Sequence, residues 1–254
     1  MVEHKDFREV LENNNQRHEV VIGYNKNNDV RVIDLKENPS VIVTGETGSG
    51  KSILLDQIVC QLIKNNTSLD MDFFLIDSSG VELNLYADSR YSKDYALRDN
   101  DKALSVLVKV LNIMDERYRL IHSKGYITVD EYNEKEEEKL SDIVLVIDDN
   151  DTFIMNEDIS KQITSLITGL KDTNIFFIGA FSNTDNYFFK SDKNTYSSII
   201  ISFDMSDAEH ANYANVPGAE DLPIGKFIIS EDNEDKEYYN FDFDDKIIVE
   251  TLNK

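Results

Sequence analysis

Residues 45–52 read GETGSGKS and follow directly on the apolar run SVIVT at 40–44. This pairing decides how the rest of the chain is read. The stretch fits G-x-x-x-x-G-K-[ST] in full, as Gly45, Glu46, Thr47, Gly48, Ser49, Gly50, Lys51 and Ser52. Glycines let successive backbone N–H groups turn inward and form an anion nest. A helix starting near Lys51 adds unpaired N–H groups and the positive end of its dipole. Lys51 is then placed to reach the β- and γ-phosphates of a nucleotide, and the Ser52 hydroxyl to ligate Mg²⁺. Ile53 opens the helical spacing Ile53, Leu54, Ile58, Leu62 and closes the binding stretch. The expected ligands are therefore ATP and Mg²⁺.

Such a site needs a carboxylate at the tip of a nearby strand. IVLVIDD at 143–149 supplies one. Asp148 follows five apolar residues and is the candidate for the metal's water shell. Asp149 takes the next position, where a carboxylate can polarise the attacking water. Lys51 and Asp149 are thus the expected catalytic pair, and Ser52 and Asp148 the expected metal pair.

Working outward, apolar β-branched runs alternate with helical spacing. DFFLID (72–77), IFFIGA (175–180), SIIISFD (198–204) and KFIIS (226–230) read as strands, and EVVIGYN (19–25) and VRVIDL (30–35) as a hairpin. Residues 101–123 carry an amphipathic helix through Leu104, Leu107, Val108, Leu111 and Met114. The charge run at 129–142 reads as a solvated helix or loop. The acidic stretch EDNEDKEYYNFDFDD (231–245) reads as an edge strand or a partner segment. Strand–helix alternation predicts an α/β fold with a mainly parallel central sheet flanked by helices. The expected division is a lead-in at 1–18, a domain at 19–230, and an acidic tail at 231–254 that packs on or extends that domain.

Bulk properties narrow the function classes. The net charge is −23, with 26 basic against 49 acidic residues, which argues against a duplex-DNA face and for protein partners. No apolar run reaches membrane-spanning length, and the start lacks the apolar core of a secretory signal. A soluble, cytosol-facing domain is expected. Cys60, the only cysteine, permits no intrachain disulfide and no thiolate metal cluster; it lies in an apolar helical stretch and reads as a buried thiol.

Several stretches together resemble the FtsK/SpoIIIE-like ATPases of the RecA-type P-loop class. LIDSSGVELNLY (75–86) is similar to that family's "IDPKGVELxLY", and DKALSVLVKVLNIMDERYRLI (101–121) to its long helix. GYITVDEYN (125–133), IFFIGAFSN (175–183) and GAEDLPIGKFII (218–229) extend the likeness from about residue 20 to about residue 230. The departures carry information too. Ser79 stands for the family's Lys, Asp149 for its Glu and Ser182 for its sensor Gln. Lys171 stands near its trans-acting Arg, and cannot offer a planar bidentate fork to phosphate. The resemblance implies a RecA-like P-loop NTPase fold, ATP binding, weak or partner-dependent hydrolysis, and adjacent ATPase domains of the same chain or ring as partners.

Within the family, the acidic balance, the weakened catalytic set and a chain beginning just before the ATPase fold point to the branch that resembles EssC/EccC proteins. That branch drives type VII secretion of protein substrates from the cytoplasmic face of the cell membrane. The absence of a DNA-reading extension after residue 230 agrees, and DNA is not the expected cargo. The DSSGVELNLY stretch leans the other way, towards a double-stranded DNA translocase. A non-hydrolysing docking module is the third reading.

Overall fold

The computed structural model describes residues 5–149, 153–190, 198–205, 207–214, 216–231 and 234–253. The strands are β1 (Glu19–Tyr24), β2 (Val30–Asp34), β3 (Ser40–Thr44), β4 (Met71–Asp77) and β5 (Ser92–Leu97), followed by β6 (Asp142–Asp149), β7 (Ile175–Phe181), β8 (Ile199–Ser202), β9 (Lys226–Glu231) and β10 (Glu234–Tyr239). The longer helices are α2 (Lys51–Asn65), α4 (Asn100–Ser123) and α6 (Glu157–Gly169). Shorter ones are α1 (Phe7–Asn13), α3 (Asn84–Ala87), α5 (Val129–Lys135), α7 (Tyr187–Lys190), α8 (Ala208–Tyr213) and α9 (Lys246–Leu252).

All ten strands join one sheet in the order β2-β1-β10-β9-β8-β3-β7-β6-β4-β5. The six from β8 to β5 are parallel, and the four at the other side are antiparallel. β3, β6 and β7 are buried along their whole length. That is why they read as unbroken apolar runs, as strands covered on both faces do. On one face, Val144, Val146, Ile178 and Ala180 share a core with Leu54, Ile58 and Leu62 of α2. On the other, Leu145, Ile147 and Phe177 pack with Val106 and Val110 of α4 and with Ile163 and Leu166 of α6.

Two expectations differ in detail. The acidic stretch at 231–245 forms no edge: β10 lies inside the sheet, paired with β9 and β1, and β2 takes the edge. Its aromatic alternation has a physical reason, since Tyr238 is buried with Phe227 and Tyr239 packs on Tyr24. Second, α2 is buried nearly all round, because it contacts α1 and α9 besides the sheet. Ile53 is the apolar exception, at 41% exposed. Phe181, Phe188 and Phe189 are core residues, and Tyr187 beside them faces outward. Cys60 is fully buried, and burial pushes its thiol up to about 12.

Side-chain caps set the helix starts. Asp99 accepts from Lys102 N at α4, Thr128 from Glu131 N at α5, and Asn156 from Asp158 N and Ile159 N at α6. Arg117 anchors the far end of α4. Only 5% exposed, it donates to the carbonyls of Thr173 (2.9 Å), Asn174 (3.3 Å) and Ser141, at the starts of β6 and β7. Arg117→Met strands these buried acceptors. We expect a loss of about 2 kcal/mol in denaturant unfolding, and a change within experimental error would show that the carbonyls find other partners.

Candidate functional site

The loop from Gly45 to Gly50 turns between β3 and α2. Its glycines have φ of +144°, +85° and +119° at 45, 48 and 50. Two of these positions are also closed to a side chain by packing. A Cβ on Gly45 would stand 2.7 Å from Phe203 Cβ and 3.1 Å from the Asp204 carbonyl. One on Gly50 would meet Asn240 and Phe203 at 3.1 Å. Unlike α4 and α6, α2 starts on a glycine with no side-chain cap, so no side chain covers its first N–H groups.

Three segments distant in sequence brace the loop. Glu46 N donates to the Asp204 carbonyl (2.7 Å), Gly225 N to the Ser49 carbonyl (2.9 Å), and Asn240 Nδ2 to the Gly50 carbonyl (3.0 Å). Gln57 of α2 also donates to the Phe241 carbonyl at 3.0 Å. None of Asp204, Gly225 and Asn240 stood out as a site residue in the sequence. Gly225 lies inside the family-like stretch 218–229, which was its only signal.

Lys51 is 4% exposed, and its Nζ donates to the carbonyls of Gly45 (2.7 Å) and Glu46 (2.8 Å). The ammonium is thereby drawn into the curl of its own loop. Ser52 Oγ donates to Asp148 Oδ2 at 3.1 Å. The strand order explains the reach. β7 separates β3 from β6, and α2 packs over β7, so its first turn arrives at the tip of β6. Asp148 Oδ1 is buried without a hydrogen-bond partner among the described residues. An orphaned carboxylate oxygen beside a hydroxyl is a hard-oxygen pair that suits Mg²⁺. Burial, reinforced by the neighbouring Asp77, pushes the Asp148 carboxyl up to about 7.

Glu46, Thr47 and Ile53 lie on the loop and the first turn of α2 beside these groups. Asp149 lies on the other face of β6 from Asp148. Side chains alternate along β6, so Asp149 shares the face of Leu145 and Ile147, whereas Asp148 shares that of Val144 and Val146. Its carboxylate accepts from Phe153 N (3.1 Å) and Ile154 N (2.6 Å). These two bonds tie the Asp149 carboxylate to the exit of β6. Ser182 N donates to the Asp149 carbonyl, which keeps the tips of β6 and β7 together. Lys171 is exposed and precedes β7, at the opposite end of the sheet from the loop.

The FtsK/SpoIIIE family model matches residues 6–208. The chain belongs to the FtsK/SpoIIIE family. The DNA translocase FtsK of Caldanaerobacter subterraneus subsp. tengcongensis is 32% identical over 155 residues, covering 59% of this chain and 22% of that protein. FtsK of Lactococcus lactis subsp. cremoris is 30% identical over 152 residues, 56% of this chain and 20% of that protein. The chain therefore spans about a fifth of the length of these curated relatives. The conjugation coupling protein TcpA, solved with ATPγS, superposes with a TM-score of 0.76 at 24% identity, over 95% of this chain and 72% of that one. ATPases 2 and 3 of EssC from Geobacillus thermodenitrificans give 0.76 at 17% identity, over 93% and 47%. These two likenesses show a shared P-loop ATPase fold.

The geometry makes a charge prediction. A carboxyl raised by burial stabilises the fold while protonated, and this contribution falls away as pH rises from about 4, the ordinary Asp value, through about 7. Without divalent cations, Asp148→Asn should raise the thermal midpoint at pH 8, with a smaller gain at pH 5. An equal shift at both pH values would contradict a buried, ionising Asp148.

Proposed function

We propose that this chain is an ATP-hydrolysing domain of an FtsK/SpoIIIE-type translocase, and that it works beside a neighbouring copy or a second ATPase domain. The observation that carries this reading is the contact between Ser52 and Asp148 beneath a glycine-lined loop whose lysine is already turned inward. Lys51 exchanges the carbonyls of Gly45 and Glu46 for the β- and γ-phosphates. The first N–H groups of α2 and the loop amides hold the phosphate chain. Ser52 and Asp148 would hold Mg²⁺, which when bound offsets charge on the β- and γ-oxygens.

Turnover in isolation is slow. Lys171 replaces a bidentate arginine and Asp149 is committed to the backbone of residues 153–154, so groups that act in the transition state are weaker than those that bind. Loss of such an arginine costs on the order of 10³ or more in related systems. Exposed apolar side chains stand on the elements that frame the loop: Ile53 (41%), Val81 (59%), Leu85 (43%) and Val249 (48%). They suit a neighbour packed across the site, through which binding and hydrolysis change the packing of two domains.

For the cargo, the net charge of −23 favours a polypeptide over duplex DNA, as in type VII secretion at the cytoplasmic face of a membrane. No helix among the described residues is long and apolar enough to cross a membrane, so attachment would come through another part of a longer protein. The second reading, movement of double-stranded DNA, is favoured by the 30–32% identity to DNA translocases. Binding to a random duplex at low salt separates them, since the protein-cargo reading expects none.

Nucleotide binding is tested by titrating a fluorescent ATP analogue with and without Mg²⁺. We expect Mg²⁺ to tighten binding, and Lys51→Ala to weaken it at least roughly tenfold, the loss of one charge-assisted contact of about 1.5–3 kcal/mol. Unchanged affinity in Lys51→Ala would remove the assignment. Hydrolysis at tens per second by the isolated chain would contradict the expected slow turnover.

A further inference from the structure

Hydrolysis needs a group that takes a proton from the attacking water, and the Asp149 carboxylate is engaged by the N–H groups of Phe153 and Ile154. Two other carboxylates at the tips of β4 and β6 are committed as well. Asp77 Oδ1 accepts from Ser79 N (2.9 Å), Ser79 Oγ (2.8 Å) and Gly80 N (2.7 Å), and its Oδ2 accepts from Leu83 N (3.0 Å). Asp148 bonds Ser52 and carries the orphaned oxygen that suits a cation. Glu82 is different. It is half-buried, accepts no hydrogen bond and forms no ion pair among the described residues.

The backbone around Glu82 is held firmly from both sides. Asp77 gathers the turn at 79–83 through four hydrogen bonds, and Ser78 N donates to the Asp148 carbonyl at 3.0 Å. Asp77 and Asp148 are register partners on adjacent strands, so the turn grows out beside the cation pair. Gly80, with φ +64°, makes the bend, and a Cβ there would lie 2.7 Å from Arg98 Cγ. Glu82 shares one electrostatic neighbourhood with Lys51 and Asp148. Burial raises its carboxyl above the ordinary Glu value, Asp77 and Asp245 add to this, and Lys51 opposes it. A raised carboxyl is the better proton acceptor near neutral pH. The Ser79 substitution fits the same design, because its hydroxyl bonds Asp77 and closes the turn.

We propose that Glu82 is the carboxylate that takes the proton from the attacking water when this chain hydrolyses ATP. The proposal rests on the ATP-hydrolysing reading above. The water oxygen forms the new bond to the γ-phosphorus as the bond from that phosphorus to the β–γ bridging oxygen breaks. The bridging oxygen leaves with the electron pair on ADP, and the water proton passes to Glu82 and then to solvent. The products are ADP and inorganic phosphate. Glu82 acts from the turn after β4, and Asp149 keeps a positioning role at the exit of β6.

The test compares wild type, Glu82→Gln and Asp149→Asn in single-turnover hydrolysis of radiolabelled ATP with enzyme in excess, alongside binding of the fluorescent analogue. Glu82→Gln should bind within about threefold of wild type and hydrolyse at least ~100-fold more slowly, the ordinary contribution of a general base. The acid limb of the wild-type pH–rate profile should lose one ionisation in Glu82→Gln and keep that of Asp148, a change that a purely structural residue would not produce. Glu82→Asp is the second variant: if the Gln form binds poorly, the Asp form must bind normally and turn over more slowly than wild type. Asp149→Asn should lower the thermal midpoint, because its carboxylate holds the N–H groups of Phe153 and Ile154. Glu82→Gln hydrolysing at the wild-type rate overturns the proposal, as does a wild type that binds ATP with Mg²⁺ and converts none over hours. A wild type that fails to bind the nucleotide is seen in the binding arm and removes the underlying reading itself.

Discussion

An ammonium held against backbone carbonyls, next in the chain to a hydroxyl bonded to a buried carboxylate, is the arrangement on which the structure of this site depends. Lys51 is a buried cation bonded to the carbonyls of Gly45 and Glu46. Asp148 is a buried carboxylate with one oxygen on Ser52 and the other without a partner among the described residues. Each group is costly to bury alone. Phosphates offer the lysine a stronger acceptor than a carbonyl, and a divalent cation gives the carboxylate the partner it lacks. The fold thus keeps two charged groups in conformations whose full compensation comes from outside the chain.

The rest of the molecule keeps that arrangement in place. Parallel strands covered on both faces set the heights of the β3 and β6 tips. β7 sets the gap that α2 must cross. The carboxyl-terminal segment then closes the loop from the far side: Gly225 and Asn240 bond Ser49 and Gly50, and Phe241 receives Gln57. Both Asn240 and Phe241 lie beyond the part matched by the family model, yet they support its central motif. A change that loosens β10 therefore reaches the phosphate loop without touching it.

Much of this was legible in the sequence, for physical reasons. The phosphate loop is local: glycine spacing, lysine and hydroxyl must occur in one short run, and they bracket the observed start of α2 at Lys51. Strands buried on both faces advertise themselves as apolar runs, so β3, β6 and β7 were found within a residue or so. What was not legible depends on direction and on long-range pairing. Asp148 and Asp149 are adjacent and alike in sequence, but strand alternation sends them to opposite faces of the sheet. β5 (SKDYAL) and β10 (EDKEYY) are too polar to read as buried strands, and their partners alone make them strands. Asn240 gives no signal, because its only link to Gly50 is a contact across 190 residues.

The most direct measurement of the central claim is a crystal structure of the chain with a non-hydrolysable ATP analogue and Mn²⁺ as an anomalous stand-in for Mg²⁺. The account predicts the phosphate chain against the first N–H groups of α2, Lys51 Nζ moved from the carbonyls of Gly45 and Glu46 to the β- and γ-phosphates, and the anomalous peak beside Ser52 Oγ and Asp148 Oδ1. Lys51 still bonded to those two carbonyls, with the nucleotide or the metal bound elsewhere, would contradict it.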